Sequence, residues 1–396
     1  MKPVLLAAMT ATSALGAGLA ATLGALRERR SALAQCHFES ARLDMQIGAV
    51  PDLDAVDLPA PLAAFACRNN RLAQLGLMQD GFADAVRNSA ARHGADRVGV
   101  FLGTSTSGIL ETELAYRERD PDSGALPRRY DYAHRHNSFS VTDYVRRALG
   151  LTGPAVTIST ACSSSAKAFP AAARMLAAGM IDAAVVGGVD SLCLTTLYGF
   201  HALQLTASGP CRPFDVRRDG LSIGEAAAFV LLERAPAGVA PEAILLQGIG
   251  ESADAYHMSS PHPQGAGARE AMQRALDAAG IAPELVDYIN LHGTGTPSND
   301  SAEGHAITSL FGTGTRCSST KAAMGHTLGA AGALEAVICA LALRHGLLPG
   351  GLNTHEPDPR LALRYETVNH DLPLRRVLSN SFGFGGANCA LLFGRA

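Results

Sequence analysis

TISTACSSSAKAF, residues 157–169, joins two patterns in one line. Residues 157–159 read as the end of a β-branched strand, and Ala166 onward as an alanine-rich helix. A strand feeding straight into a helix, recurring along a chain, indicates an α/β architecture. Cys162 stands at the seam. A thiol at a helix N-terminus meets unpaired N–H groups and the positive end of the macrodipole, which favour its thiolate. The small neighbours Ala161, Ser163, Ser164 and Ser165 let a substrate come close. Two readings stay open here: a nucleophile, or a buried structural cysteine, the commoner fate of this residue type.

Outward from that seam the pattern repeats. Strands are expected at 97–102, 155–159, 183–186, 226–232, 286–290, and 377–378 with 389–393; helices are expected at 166–178, 268–279, 301–310 and 330–344. Near the N-terminus, residues 4–9 read as a strand, and the segment ending in LRERR as a first helix. The same stretch has the basic start and apolar run of a secretory signal, but Thr10, Thr12 and Ser13 break the run early. The Pro- and Gly-containing stretch near 235–250 divides the chain into a half spanning 1–240 and a half spanning 241–396. The Arg-, Asp-, Tyr- and Pro-rich segment 117–136 reads as a surface excursion.

Composition narrows the function. The chain has 396 residues, 47% apolar, so a substantial core is possible. Only 17% are charged and the net charge is −3, with no basic run, which argues against nucleic acid as a partner. The low charge points instead to surface covered by the fold or by another subunit. Apolar runs fall short of the ~20 residues of a membrane span. The 8 cysteines form no CxxC pair and, with the histidines, no zinc spacing. Reduced thiols in the cytoplasm and no metal are therefore expected.

Three further stretches carry chemistry. In NLHGTGTPSNDSAEGHA, residues 290–306, His292 follows a strand end, and Gly293 and Gly295 let the backbone bend. Thr294 and Thr296 offer hydroxyls, and Asp300 and Glu303 are expected to cap the next helix. In SSTKAAMGHTLGAAGALEA, residues 318–336, Lys321 and His326 precede a small-residue helix. Lysine is rare in this chain (Lys2, Lys167 and Lys321 only), so Lys321 stands out among the arginines. A neutral imidazole can donate one N–H to a carbonyl oxygen, and a nearby ammonium biases its charge state. In SNSFGFGGANCALLF, residues 379–393, Phe382 and Phe384 alternate with glycines, and Gly385 and Gly386 suit a turn that aims backbone N–H groups at a reacting centre. Each stretch also has a plain reading as a packing histidine, a phosphate-gripping lysine or a glycine hinge.

Taken together, TACSSS, HGTGTP, STKAAMGHTLGAAG and NSFGFGGAN resemble the four ordered motifs of the β-ketoacyl-acyl-carrier-protein synthases of fatty-acid and polyketide assembly. CRPFDVRRDGLSIGEAAAFVLLE (211–233) and DAYHMSSPHPQG (254–265) resemble the same family. The resemblance covers nearly the whole chain, most weakly in the first ~80 residues and in the 111–145 insert. It implies a thiolase-type fold: two pseudosymmetric βαβαβ halves in five layers (αβαβα), usually dimeric. It implies that Cys162 takes an acyl group as a thioester, and that His292 and His326 stabilise the enolate formed when a malonyl-carrier loses CO2. The N–H groups of Cys162 and Phe384 would hold the tetrahedral oxyanion. Lys321 would orient His326 and form a network with Glu303. Thr294 and Thr296 would hold the pantetheine arm, which the carrier supplies, so no cofactor is needed. Phe384 would gate the pocket, with Phe382 and Gly385 beside it. Arg68, Arg71 and Arg212 would meet an acidic carrier protein.

Some residues depart from the housekeeping pattern: Thr106 at the pocket gate, polar Thr142 and Asp143 before the nucleophile, and TACSSS itself. They lean toward a specialised type II polyketide or polyene pathway, aryl polyenes included. The alternatives are housekeeping elongation, or one subunit of a ketosynthase/chain-length-factor pair, so homodimer and heterodimer both stand. A thiolase would need a second cysteine as base, for which Cys389 is the sole candidate. A Cys–His hydrolase leaves Lys321 and the second histidine without a task.

Overall fold

The computed structural model describes residues 1–396. Its framework strands are β1 (Val4–Ser13), β2 (Val98–Gly103), β3 (Ala155–Ile158), β4 (Ala183–Asp190), β5 (Ala226–Arg234), β6 (Ile244–Ala253), β7 (Tyr288–Asn290), β8 (Arg316–Ser318), β9 (Arg376–Phe382) and β10 (Ala387–Arg395). Its main helices are α1 (Arg68–Leu77), α2 (Phe82–His93), α3 (Ser140–Ala148), α4 (Ser164–Ala177), α5 (Ala266–Ala279), α6 (Pro297–Phe311) and α7 (Ala331–His345).

The strands follow one hydrogen-bonded path, β8-β7-β9-β10-β6-β1-β5-β4-β2-β3. Read from the centre, the first half runs β1-β5-β4-β2-β3 and the second β6-β10-β9-β7-β8. The two orders are the same, with β6 in the place of β1 and so on to β10 and β5. Polarity repeats as well: β5 is antiparallel to β1 and to β4, while β2 is parallel to β4 and β3. β10, β9, β7 and β8 copy those relations. β1 and β6 meet antiparallel through Val4–Leu246 and Leu5–Leu245, joining the halves about a pseudo-twofold axis.

Apolar periodicity sorts the helices into layers. Leu72, Phe82, Val86 and Tyr144 of α1–α3 pack with Val98, Val100 and Phe229 on the outer face of the first half. Ala271, Leu276 and Ile307 of α5 and α6 pack with Ile289, Leu378 and Leu392 on the outer face of the second. α4 and α7 share the central core with Val186, Val230, Leu391 and Phe393. The result is αβαβα, the expected thiolase-type arrangement. α7 is buried on every side because it lies between the two halves of the sheet, and such helices read as apolar all round. The stretch Leu328–His345 is long and apolar enough to cross a membrane, yet 89% of it is buried inside the fold.

One expectation is corrected, and the end of the expected seam is sharpened to the link between β5 and β6. Thr10, Thr12 and Ser13 do not end the first strand; they continue β1 and are fully buried. β-Branched threonine suits a strand, and the Thr10 hydroxyl is satisfied by donating to Asp80 at 2.8 Å. The seam near 235–250 overlaps β6, whose glycines Gly248 and Gly250 hide its strand character. They are required there: a Cβ on Gly250 would lie 1.8 Å from the Ala271 carbonyl oxygen of α5. The edges also differ. The β8 edge is covered by the short strand Arg364–Tyr365, whereas β3 is an open edge with Val156 exposed.

Candidate active site

Cys162 lies between β3 and α4, one residue before the helix N-cap Ser163. Ala161 holds a left-handed φ of 52°, a conformation costly for a residue with a Cβ. That kink turns Cys162 out of the strand line toward the second half. Facing it are His292, just past β7, and His326, on the loop between β8 and α7. The ligand-type atoms of these three residues all lie within 4.8 Å of one another. The imidazoles meet edge to face at 5.2 Å between centroids.

Each histidine is positioned by its backbone. Glu303 accepts from the N–H groups of His292 at 2.9 Å and Gly293 at 2.8 Å, and from Asn380 Nδ2 at 3.0 Å. The His326 N–H donates to the Ser222 carbonyl at 2.7 Å, and its own carbonyl accepts from Gly224 at 3.0 Å. Burial first, then the Lys321 charge, holds both imidazoles well below 6.5, so they are neutral donors.

The network expected of Lys321 differs from the one observed. Its ammonium pairs with Glu335 of α7, both side chains being buried, and not with Glu303. Glu303 is engaged with the His292 turn, and burial lifts its carboxyl to about 7. Nor do Asp300 and Glu303 cap α6. Thr296 is the cap residue, and Asp300 accepts from the N–H groups of Phe214 at 2.8 Å and Gly295 at 3.2 Å. Acids in a first turn are ordinarily read as caps; here tertiary donors won them.

The thiolate expected from helix position also needs correction. Burial pushes the Cys162 thiol up to about 12. The Lys321 charge and the N–H groups of Phe384 and Cys162 act against that rise, while Asp190 adds to it. Two N–H groups are directed at the place where negative charge would develop on the sulfur. The Phe384 N–H is there because the loop after β9 passes over the nucleophile turn. A Cβ on Gly383 would meet the Thr160 carbonyl oxygen at 2.6 Å.

A cavity leads from this centre to the surface. Cys162, His292, Thr294, Thr296, His326, Phe382, Phe384 and Gly385 line it, joined by Phe200 and Asp254. The Thr294 and Thr296 hydroxyls sit 2.9 Å apart. Phe384 is partly exposed, its ring 5.8 Å from Phe200 at the mouth. Thr106 does not line this cavity. Its hydroxyl and N–H both bond to Asp190 at 2.9 Å. Asp190 also accepts from Thr104, Ser105 and the Gly329 N–H, so one buried carboxylate ties the β2 turn to the segment after His326.

Other candidates are placed elsewhere. Arg68 and Arg71 are not free for a carrier: Arg68 pairs with buried Glu225 at 2.6 Å, and Arg71 donates to the Val56 carbonyl. Arg212 has its backbone nitrogen near Gly295, between the cavity-lining Thr294 and Thr296. Thr142 donates to or accepts from Thr157 at 2.6 Å, and Asp143 pairs with Arg146 and Arg147. Cys389 is fully buried in β10, where the central core holds it. Glu335, Asp190 and Asn380 were missed by sequence reading. Two of them had a signal: Glu335 is the one charge within the buried stretch of α7, and Asp190 ends the apolar run of β4.

Comparison with known proteins agrees with this geometry. Family models for the β-ketoacyl synthase N-terminal and C-terminal domains match residues 65–237 and 244–355. Nodulation protein E of Rhizobium meliloti (strain 1021) is 33% identical over 93% of both chains. 3-Oxoacyl-[acyl-carrier-protein] synthase 2 of Staphylococcus aureus is 34% identical over 76% of this chain and 77% of its own. A chain from the complex of the ketosynthase ApeO with its chain length factor ApeC, from Xenorhabdus doucetiae, superposes with a TM-score of 0.90 at 38% identity, covering 100% of this chain and 98% of that one. The chain belongs to the β-ketoacyl synthase family of carbon–carbon bond-forming acyltransferases.

Proposed function

We propose that the Cys162 centre performs both steps of a decarboxylative Claisen condensation. Cys162 attacks the thioester of an acyl-carrier, the carrier thiol leaves with the proton, and the acyl group stays on sulfur. A malonyl-carrier then binds, its pantetheine arm held by Thr294 and Thr296. Loss of CO2 leaves an enolate whose oxygen accepts hydrogen bonds from His292 and His326. The enolate carbon attacks the acyl carbonyl, and the tetrahedral oxyanion is held by the Cys162 and Phe384 N–H groups. Collapse frees the sulfur. Splitting one bond formation into two thioester exchanges lowers each barrier, and fixed donors act where charge appears. Lys321 biases both histidines toward the neutral state through its charge, and Phe384 gates the cavity. Only the carrier-borne arm is required; no dissociable cofactor takes part.

The observation that carries this reading is the convergence of one thiol, two neutral imidazoles and two N–H groups. Its test is incubation with acyl-carrier and malonyl-carrier proteins. Release of CO2 with a product two carbons longer supports the synthase, and acyl hydrolysis without CO2 release sinks it.

The pathway reading is a specialised type II polyketide or polyene system, with a homologous chain-length-factor-like subunit as partner. Two points support it: the structural likeness to a chain of the ApeO–ApeC complex, and the open β3 edge, which leaves backbone groups for a second chain to cover. Arg212 is the remaining docking residue for an acidic carrier. All 8 cysteines are free thiols, consistent with the cytoplasm. Intact-mass analysis of acyl groups on Cys162 from the native host would report starter and chain length together.

A further inference from the structure

The chain has no local metal motif, yet folding assembles one. Cys162, His292 and His326 come from three separate turns, and their donor atoms lie within 4.8 Å of one another. All three residues are buried, with His292 and His326 at 2% and 1% exposure. Both ring nitrogens of His326 and Nδ1 of His292 have no hydrogen-bond partner. Buried imidazole nitrogens are ordinarily satisfied; these have no partner, and one nitrogen of each ring lies within 4.8 Å of the sulfur and of the other ring's nitrogen. A sulfur and two imidazole nitrogens, with a fourth position open to the cavity, is a donor set suited to zinc.

We propose that the resting enzyme binds one thiophilic divalent cation, zinc being the probe, through Cys162, His292 and His326, and is reversibly inhibited by it. Binding exchanges a proton for the metal at sulfur: the S–H bond breaks, an S–Zn bond forms, and the proton leaves to solvent. No oxidation is involved. Tetrahedral zinc with ligand bonds of about 2.0–2.3 Å holds its donors roughly 3.3–3.7 Å apart. Side-chain rotation must therefore close a gap of no more than about 1.5 Å from the 4.8 Å limit. An acylated sulfur is a poor ligand, so the metal competes with acyl loading and the acyl-enzyme escapes it. Metal binding stands on donor geometry alone, and the competition with acyl loading rests on the condensation reading.

Chelator-treated protein is titrated with zinc sulfate against a chromophoric chelator, with magnesium as control. The expected result is one zinc per chain in the resting enzyme and none from magnesium. Binding should weaken more than about tenfold in Cys162→Ala and His326→Ala. Wild-type protein capped at Cys162 with iodoacetamide should lose it equally, which keeps the test valid if either variant folds poorly. His257 and His262 stand on the segment whose Ser259, Ser260 and Pro261 line the cavity, and His257→Ala/His262→Ala should leave the stoichiometry unchanged. Undiminished binding after capping overturns the proposal, as does loss of the metal in the His257/His262 variant. Chelator should restore alkylation of Cys162 in the zinc-treated enzyme; failure to restore it also overturns the proposal.

Discussion

The two halves share one strand order and perform different tasks. After β3 the first half places Cys162; after β8, in the matching place, the second half places Lys321 and His326. After β2 come Thr104–Thr106, and after β7 comes His292. β4 ends in Asp190, while β9 ends in Phe382 and the Gly383–Phe384 loop. The first half thus holds the proposed nucleophile and a carboxylate-pinned turn behind it. The second half places two imidazoles and the Gly383–Phe384 loop opposite that sulfur. A repeated scaffold fixes where strand ends meet, and the residues at those ends decide the chemistry.

Removing the sulfur breaks the division most severely. Cys162→Ala should lower condensation by about 10⁴-fold or more, because groups that act as a unit lose nearly everything together. Acyl loading should vanish while circular dichroism and melting stay near wild type. Retained condensation would return Cys162 to the status of a structural thiol. The second half should fail differently. His292→Ala and His326→Ala should each lower condensation by about 10²–10³-fold, the scale of a lost oxyanion donor. Acyl transfer onto Cys162 should persist in both, as read by intact mass. If loading falls as steeply as condensation, the halves are not divided as described.

The turns that carry this chemistry were legible because their residue types are unusual in context. A thiol, a histidine or a glycine pair at a strand end is visible one line at a time. Partner choice was not. Lys321 and Glu303 both looked available, but Glu303 is reached first by the N–H groups of its own turn, and α7 brings Glu335 to the ammonium. Helix position made Cys162 look like a thiolate, whereas burial decides its resting state. β6 was hidden by glycines that exist to let α5 approach. β7 (Tyr288–Asn290) falls inside the strand expected at 286–290, but β8 (Arg316–Ser318) is short and its placement depends on neighbours far away in sequence. Local pattern reported the strand-to-helix seams; tertiary approach set which charges met.

The buried ion pair offers a sharper contrast with the first half's carboxylate. Glu335→Ala leaves the Lys321 ammonium without a counter-ion and should cost about 3–5 kcal/mol in denaturant unfolding. Lys321→Met/Glu335→Leu, which removes both charges, should recover most of that stability while remaining impaired in condensation. If the double variant is as unstable as the single, packing rather than charge explains the loss. Asp190→Asn should cost less, about 1–3 kcal/mol, since one amide group replaces an acceptor among backbone donors. A loss as large as that of Glu335→Ala would show that the carboxylate charge, and not its hydrogen bonds, holds the turn.

The smallest effect concerns pH and sets two groups against two. Both imidazoles are held well below 6.5 by burial. Below that value the unfolded chain takes up protons that the folded chain refuses, so stability falls with pH at up to about 1.4 kcal/mol per unit for each histidine. Glu303 and Glu335 act in the opposite direction. Burial raises each from 4.5 to about 7, so between those values the folded chain holds the extra proton. Their contribution is fully present below 4.5 and is lost as pH rises through 7. Below about 6.5 the two pairs act against each other and their slopes offset. In His292→Gln/His326→Gln that offset is removed, and stability relative to wild type should climb as pH falls from 6.5 to 4.5. Parallel curves for variant and wild type over that window would show that the imidazoles titrate normally in the folded chain and are not the neutral donors this site requires.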